Sequence, residues 1–120
     1  MTFKAIAFAI TAVLGTSAAA QNFTPVQDRA QFVDLVSGKD LRLALYGITL
    51  NVSANGQISG QAVGAPVTGN WSWEGGFFCR DMDWGDRNIG YNCQLVEVGG
   101  NQMRFTVDRG AGQSAVFTIR

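Results

Sequence analysis

The sequence has 120 residues, with nine basic side chains balanced by nine acidic ones and no histidine. That balance leaves no basic footprint for nucleic acid and no cationic face for an anionic lipid surface. Without histidine the usual general base near neutral pH and the commonest metal ligand are both missing, so Ser-His-Asp, Cys-His and His-zinc mechanisms are excluded.

The first element in the chain reads as an export signal. Lys4 gives a positive start, Ala5 to Leu14 is an almost unbroken apolar run, and Ser17-Ala18-Ala19-Ala20 leads into Gln21. This is the order of a secretory signal peptide cleaved after Ala20. The run is about ten residues, too short to cross a bilayer as a helix, and no later apolar run approaches a transmembrane span. The expected organisation is a signal peptide over 1–20 and one domain over 21–120, periplasmic or secreted. Loss of Lys4 with the leader leaves eight basic against nine acidic side chains.

Thr24-Pro25-Val26-Gln27 predicts a helix start, with Thr24 as cap, Pro25 in the first helical position and Gln27 completing a capping box. Val26, Ala30 and Val33, with Phe32 and Val36, recur at spacings of three and four, and Gly38 is the expected stop. From Leu41 the period becomes two. Leu41, Leu43 and Leu45 alternate with Arg42 and Ala44, and after Tyr46-Gly47 the phase slips by one residue to Ile48, Leu50 and Val52. A slip of that kind at a glycine predicts a bulge or a sharp bend within the strand.

Asn55-Gly56 is the strongest hairpin signal in the chain. Further strands are predicted over Ile58 to Val63, Val67 to Trp73, Phe77 to Trp84, Ile89 to Val98, Met103 to Asp108 and Ser114 to Ile119, separated by glycine-rich turns. Seven or eight short antiparallel strands in a meander lose their exposed edges most simply by closing into an up-and-down barrel. The expected fold is therefore mainly β, a small barrel with one N-terminal helix that resembles lipocalin-like barrels. A two-sheet β-sandwich is the alternative.

Cys79 and Cys93 are the two cysteines, and in an oxidising compartment an even pair predicts one disulfide. Pairing across adjacent antiparallel strands sets a register in which opposite residues have numbers that sum to 172 in this numbering. Asp81 then faces Tyr91, Asp83 faces Ile89, Arg80 faces Asn92, Met82 faces Gly90 and Trp84 faces Asn88, with Gly85-Asp86-Arg87 as the turn. One face of the strand reads Phe77, Cys79, Asp81, Asp83, and the other reads Phe78, Arg80, Met82, Trp84.

Two aspartates at i and i+2 stand about 7 Å apart on one face of a strand. Such a pair can share a proton, bind a cation or do acid–base work. With Arg80, Trp84, Arg87 and Tyr91 nearby, Asp81 and Asp83 make the densest polar and aromatic cluster in the chain, although a solvated hairpin tip has the same composition. Trp71 and Trp73 share a face of the preceding strand and either line a pocket or fill the core. Asp81-x-Asp83-x-Gly85-Asp86 departs from a calcium-binding EF-hand loop in its glycine spacing, and Asn92 stands where the bidentate Glu belongs. No metal or cofactor is expected.

The run Gly69-Asn70-Trp71-Ser72-Trp73-Glu74-Gly75-Gly76-Phe77-Phe78-Cys79-Arg80-Asp81-Met82-Asp83-Trp84, continued by Ile89-Gly90-Tyr91-Asn92-Cys93-Gln94-Leu95-Val96-Glu97 and by Arg104-Phe105-Thr106-Val107-Asp108-Arg109-Gly110, resembles a group of small secreted bacterial proteins. Members of that group often carry the name dihydrodipicolinate reductase. Such a reductase uses a nicotinamide cofactor on a parallel sheet with a Gly-x-Gly-x-x-Gly turn between strand and helix. This sequence has neither the turn nor the helix–strand alternation, so the resemblance implies a shared Cys–Trp–Asp hairpin and not that activity.

The function expected from the sequence is a non-catalytic binding module, exported to the periplasm or beyond, whose partner is a small molecule or an envelope protein. Its binding residues would be Arg80, Asp81, Asp83, Trp84, Arg87, Tyr91, Trp71 and Trp73, gathered at a barrel mouth. Two alternatives belong to other classes. One is a small enzyme with Asp81 and Asp83 as its acid–base pair, which needs one carboxyl buried. The other is an interaction or inhibitor module presenting an exposed aromatic patch around Trp84.

Overall fold

Alternation of apolar and polar residues runs from Leu41 almost to the end of the chain, so most of the sequence has one requirement, a sheet with a dry face and a wet one. The structure is a computed structural model and describes residues 22–120; the signal peptide expected over 1–20 lies outside the described residues. Eight antiparallel strands meet the requirement by closing on themselves. β2 (Leu41–Leu43), β3 (Ile48–Val52), β4 (Gln57–Ala62), β5 (Ala65–Glu74), β6 (Phe77–Trp84), β7 (Arg87–Gly99), β8 (Gln102–Thr106) and β9 (Ser114–Ile119) each pair with the next. Leu41 of β2 pairs with Ile119 of β9 and shuts the ring. A sandwich would leave edges at both sheets; here the ring has none.

A ninth strand, β1 (Thr24–Pro25), lies outside the ring against Val98 and Glu97 of β7. Inward positions are apolar, as in Val67, Trp71 and Trp73 of β5, while Pro66, Thr68 and Asn70 on the other face are exposed. On β4 the outward residues are Gln57, Ser59 and Gln61. That is the reverse of a barrel that faces lipid. At two inner positions the backbones approach too closely for any side chain. A Cβ on Gly60 would meet Thr49 O at 2.1 Å, and one on Gly69 would meet Asp81 O at 2.4 Å, which lets the sheet coil tightly enough to close.

The helix α1 (Arg29–Val36) begins four residues later than the capping signal at Thr24 predicts. Thr24 and Pro25 are taken by β1, where the proline needs no donor. The same chemistry recurs downstream: the Gln31 backbone N–H donates to Asp28 Oδ1 at 2.9 Å, and the Gln27 N–H donates to Gln31 Oε1 at 2.7 Å. Phe32 and Val36 are buried as the spacing predicts, Ala30 is exposed, and Gly38 follows the last turn at φ 72°. The helix closes one end of the barrel. Phe32 is fully buried, with its ring 5.2 Å from Trp71, 5.3 Å from Trp73 and 5.1 Å from Phe78. The opposite end carries the 44–47, 63–64 and 85–86 turns and the 107–113 loop, as the up-and-down order requires.

Two sequence expectations are corrected. The segment from Leu41 to Val52 is not one bent strand but two antiparallel ones, with Leu43 opposite Ile48, joined by a 3-10 turn over Ala44–Tyr46 and left-handed Gly47. Leu45, which continues the alternation in sequence, stands 82% exposed in that turn. The phase slip marks a chain reversal because the turn consumes four residues and returns the next strand to the same inner face. The second correction lies in the disulfide hairpin. Cys79 and Cys93 are bonded, and Arg80, Asp81 and Met82 face Asn92, Tyr91 and Gly90 as expected. Beyond Met82 a bulge leaves Ile89 unpaired, so Asp83 faces Asn88, Trp84 faces Arg87, and the turn is the two-residue Gly85-Asp86.

Candidate functional site

An eight-stranded barrel has an interior just wide enough to be filled by its own side chains or to hold one small ligand. Here the helix end is filled by Phe32, Trp71, Trp73 and Phe78. A cavity of about 280 Å³ remains above them. Its walls are Leu50 and Val52 of β3, Ile58 of β4, Phe105 of β8, and Ala115 and Phe117 of β9. Val107, Gln113 and Ser114 line it from the loop end.

Two polar side chains project into this apolar space from the β6–β7 hairpin. Arg80 and Gln94 both line the cavity, and both are only 8% exposed. In the ladder Arg80 faces Asn92 and Gln94 faces Phe78, so the two occupy diagonal inner positions, about 7–8 Å apart at the backbone. Arg80 Nη1 donates to the Gly90 carbonyl at 2.8 Å, beside the bulge. Among the described residues no carboxylate meets it. The ion pairs among the described residues are Arg42 with Asp40 and Arg104 with Glu97. Asp81, its neighbour in sequence, stands exposed on the outer face. Burial pushes the Arg80 guanidinium pKa down, and the charge of Asp81 opposes that shift; an arginine so placed remains charged at neutral pH.

The Gln94 side chain makes no hydrogen bond among the described residues. Every fully enclosed side-chain polar atom of the described residues has a partner, so the Gln94 amide is reached by a water-sized probe, and its residue lines the cavity. A guanidinium with no carboxylate partner and an amide with no side-chain bond thus present free donors to an otherwise apolar chamber.

The loop from Val107 to Gln113 is held in place by the same hairpin. Asn92 Nδ2 donates to Asp108 Oδ1 at 2.8 Å, and the Asp108 N–H donates back to Asn92 Oδ1 at 2.9 Å. Asp108 and Arg109 are successive non-glycine residues in the left-handed region, at φ 56° and 54°. Backbone of that kind costs of order 1–3 kcal/mol per residue and persists only where the surroundings enforce it. The reciprocal Asn92–Asp108 bonds supply that constraint, and Arg109 lies over the Phe77 ring at 5.6 Å.

The residues singled out from the sequence divide into four groups. Arg80 alone lines the cavity. Trp71 and Trp73 belong to the plug at the helix end, with Trp71 Nε1 donating to Ser53 O at 2.8 Å and Arg29 over its ring at 5.0 Å. They do not meet the hairpin tip at a mouth. Trp84 faces inward, half-buried, its Nε1 donating to Ala62 O at 2.7 Å with Arg87 over its ring at 5.7 Å. Asp81, Asp83, Arg87 and Tyr91 are exposed, and Asp83 accepts from Asn88 Nδ2 at 2.8 Å. Neither aspartate lines the cavity, and both carboxyls are open to solvent, the arrangement least suited to an acid–base pair.

Gln94, Phe105, Ala115 and Phe117 line the candidate site and were missed by sequence reasoning. One signal was present. Arg80 shares its strand face with Phe78, Met82 and Trp84, and a lone cation on an apolar face is the mark of a charge inside the barrel. Gln94 stands out in the same way beside Val96.

No protein-family model, curated protein or solved structure matches this chain.

Proposed function

We propose that this protein is an exported, non-catalytic binding module that encloses a small, largely apolar molecule in its barrel. The observation that carries the reading is the cavity of about 280 Å³ between the aromatic plug and the 107–113 loop. Ligand sites are typically concave, mostly apolar and supplied with a few converging polar groups, and Arg80 and Gln94 supply them here. The disulfide fits an oxidising compartment, and among the described residues no helix is long and apolar enough to cross a membrane. Chemistry has little support, because the exposed Asp81 and Asp83 lie on the outer face.

Native mass spectrometry of the oxidised protein purified from its own source tests the proposal, with neutral octanol added as a probe in a second experiment. A retained adduct that disappears on denaturation and in an Ala115→Leu variant, but survives in Asp81→Ala/Asp83→Ala, supports binding inside the barrel. An adduct lost with the aspartates and kept in Ala115→Leu would move the site to the hairpin surface. Absence of any adduct, with octanol failing to bind in titration, would overturn it.

A further inference from the structure

Arg80 and Gln94 together restrict the chemistry of the ligand, and the following rests on the interior-binding reading above. We propose that the ligand is a small monoanion, an alkyl or aryl carboxylate, seated with its oxygens on Arg80 and Gln94 and its body against the apolar wall. A guanidinium has five N–H donors in a planar fork, and Arg80 uses one of them on the Gly90 carbonyl. The remainder match the two lone-pair directions of a carboxylate, the pairing for which arginine is best shaped.

The charge balance points the same way. Arg80 is nine-tenths buried and has no ion-pair partner among the described residues, while the nearest carboxylate in sequence, Asp81, is turned outward. An internal counter-ion on the barrel wall would have neutralised the cation; its absence leaves that place to the ligand. Gln94, buried to the same degree and with no side-chain hydrogen bond among the described residues, offers a neutral donor on the adjoining strand, suited to a second oxygen of the same head group. A phosphate or other dianion would bring one charge more than Arg80 can offset, in a chamber with no second cation on its wall.

Size is limited as well. At about 30 Å³ for each water-sized group, a cavity of about 280 Å³ holds roughly nine non-hydrogen atoms. Octanoate and phenylacetate are of that order, whereas a full-length fatty acid is too large. Phe117, Leu50 and Ile58 make the surface on which an alkyl or aryl body would rest.

The experiment is calorimetric titration of the oxidised protein at pH 7 with matched pairs, octanoate against octanol and phenylacetate against phenylethanol. The expected result is binding of the carboxylate at least about tenfold tighter than its alcohol in one pair or both. Arg80→Met should reduce the carboxylate affinity by about tenfold or more, leave the alcohol as tight or tighter, and so erase the preference. Arg80→Lys, which keeps the charge, should retain part of it, and this second variant answers the objection that Arg80→Met has merely altered the packing. Alcohols binding as tightly as carboxylates to the unaltered protein would overturn the anion assignment and leave interior binding intact. A preference that survives Arg80→Met would overturn it too. If no member of either pair binds, interior binding fails and this inference falls with it.

Discussion

Ala115→Leu is the substitution that tests most directly whether the cavity is real space. Ala115 faces inward on β9, opposite Phe105, and lines the chamber. Leucine adds three carbons, which at about 0.8 kcal/mol per buried methylene amounts to about 2.4 kcal/mol of transfer free energy. Fixing the leucine rotamer costs about 0.5–1 kcal/mol. With a void of about 280 Å³ to receive the side chain, no neighbour needs to move, and the net gain should be about 1.5 kcal/mol. For a domain of roughly 100 residues this corresponds to a rise in Tm of about 6–12 °C. Urea unfolding of the oxidised protein reads the effect as a higher midpoint at unchanged slope. The same variant should lose octanol. A midpoint lowered by the equivalent of 1 kcal/mol or more would mean that leucine overpacks a filled interior, and the cavity argument would be refuted.

Further expectations follow from the plug, one turn and one carboxylate. Phe32→Ala removes a fully buried ring that touches Trp71, Trp73 and Phe78, and should destabilise the protein by about 3–5 kcal/mol in urea unfolding; a loss below 1 kcal/mol would show that the helix does not seal the barrel. Val63 is a β-branched residue at φ 49°, 66% exposed, followed by left-handed Gly64. Val63→Asn restores the Asn-Gly pair that such a turn favours and should add about 1 kcal/mol, measured as a higher melting temperature, with no gain counting against the strain. The Asp40 carboxyl lies below its ordinary pKa, first because Asn51 donates a hydrogen bond to it and then because Arg42 does. The stability it contributes is therefore complete above the unfolded value near 3.8 and is lost as pH falls through the lower folded value. Asn51→Leu should flatten that acid limb in unfolding measured across pH 2 to 5; an unchanged pH profile would separate Asp40 from acid sensitivity.

Much of this architecture is legible along the chain because a strand repeats every two residues and a turn has few residue choices. The alternation of β4 to β9, the Asn55-Gly56 hairpin and the pairing of Cys79 with Cys93 all follow from local pattern. The burial of Phe32 and Val36 was equally readable from helical spacing. Errors arose where two local signals competed. Thr24-Pro25 carries a capping signal, yet the backbone pairing offered by β7 takes those residues and Asp28 caps instead. At Ala44–Tyr46 the alternation continues through what is a reversal of the chain. The bulge at Ile89 shifts the hairpin register by a single residue, and its one mark in the sequence is Gly90 beside it, at φ 94° inside the strand.

The candidate site divides along the same line. That Arg80 stands on an apolar face was present in the sequence, since its strand neighbours two residues away are Phe78 and Met82. What surrounds it was not. Leu50, Phe105, Ala115 and Phe117 come from strands far apart in the chain, and they share a space only because β9 returns to β2 and closes the ring. A void is the difference between the volume that eight strands enclose and the summed volume of the side chains pointing inward. Pattern determines which side chains point inward; only the closed geometry determines the volume they have to fill.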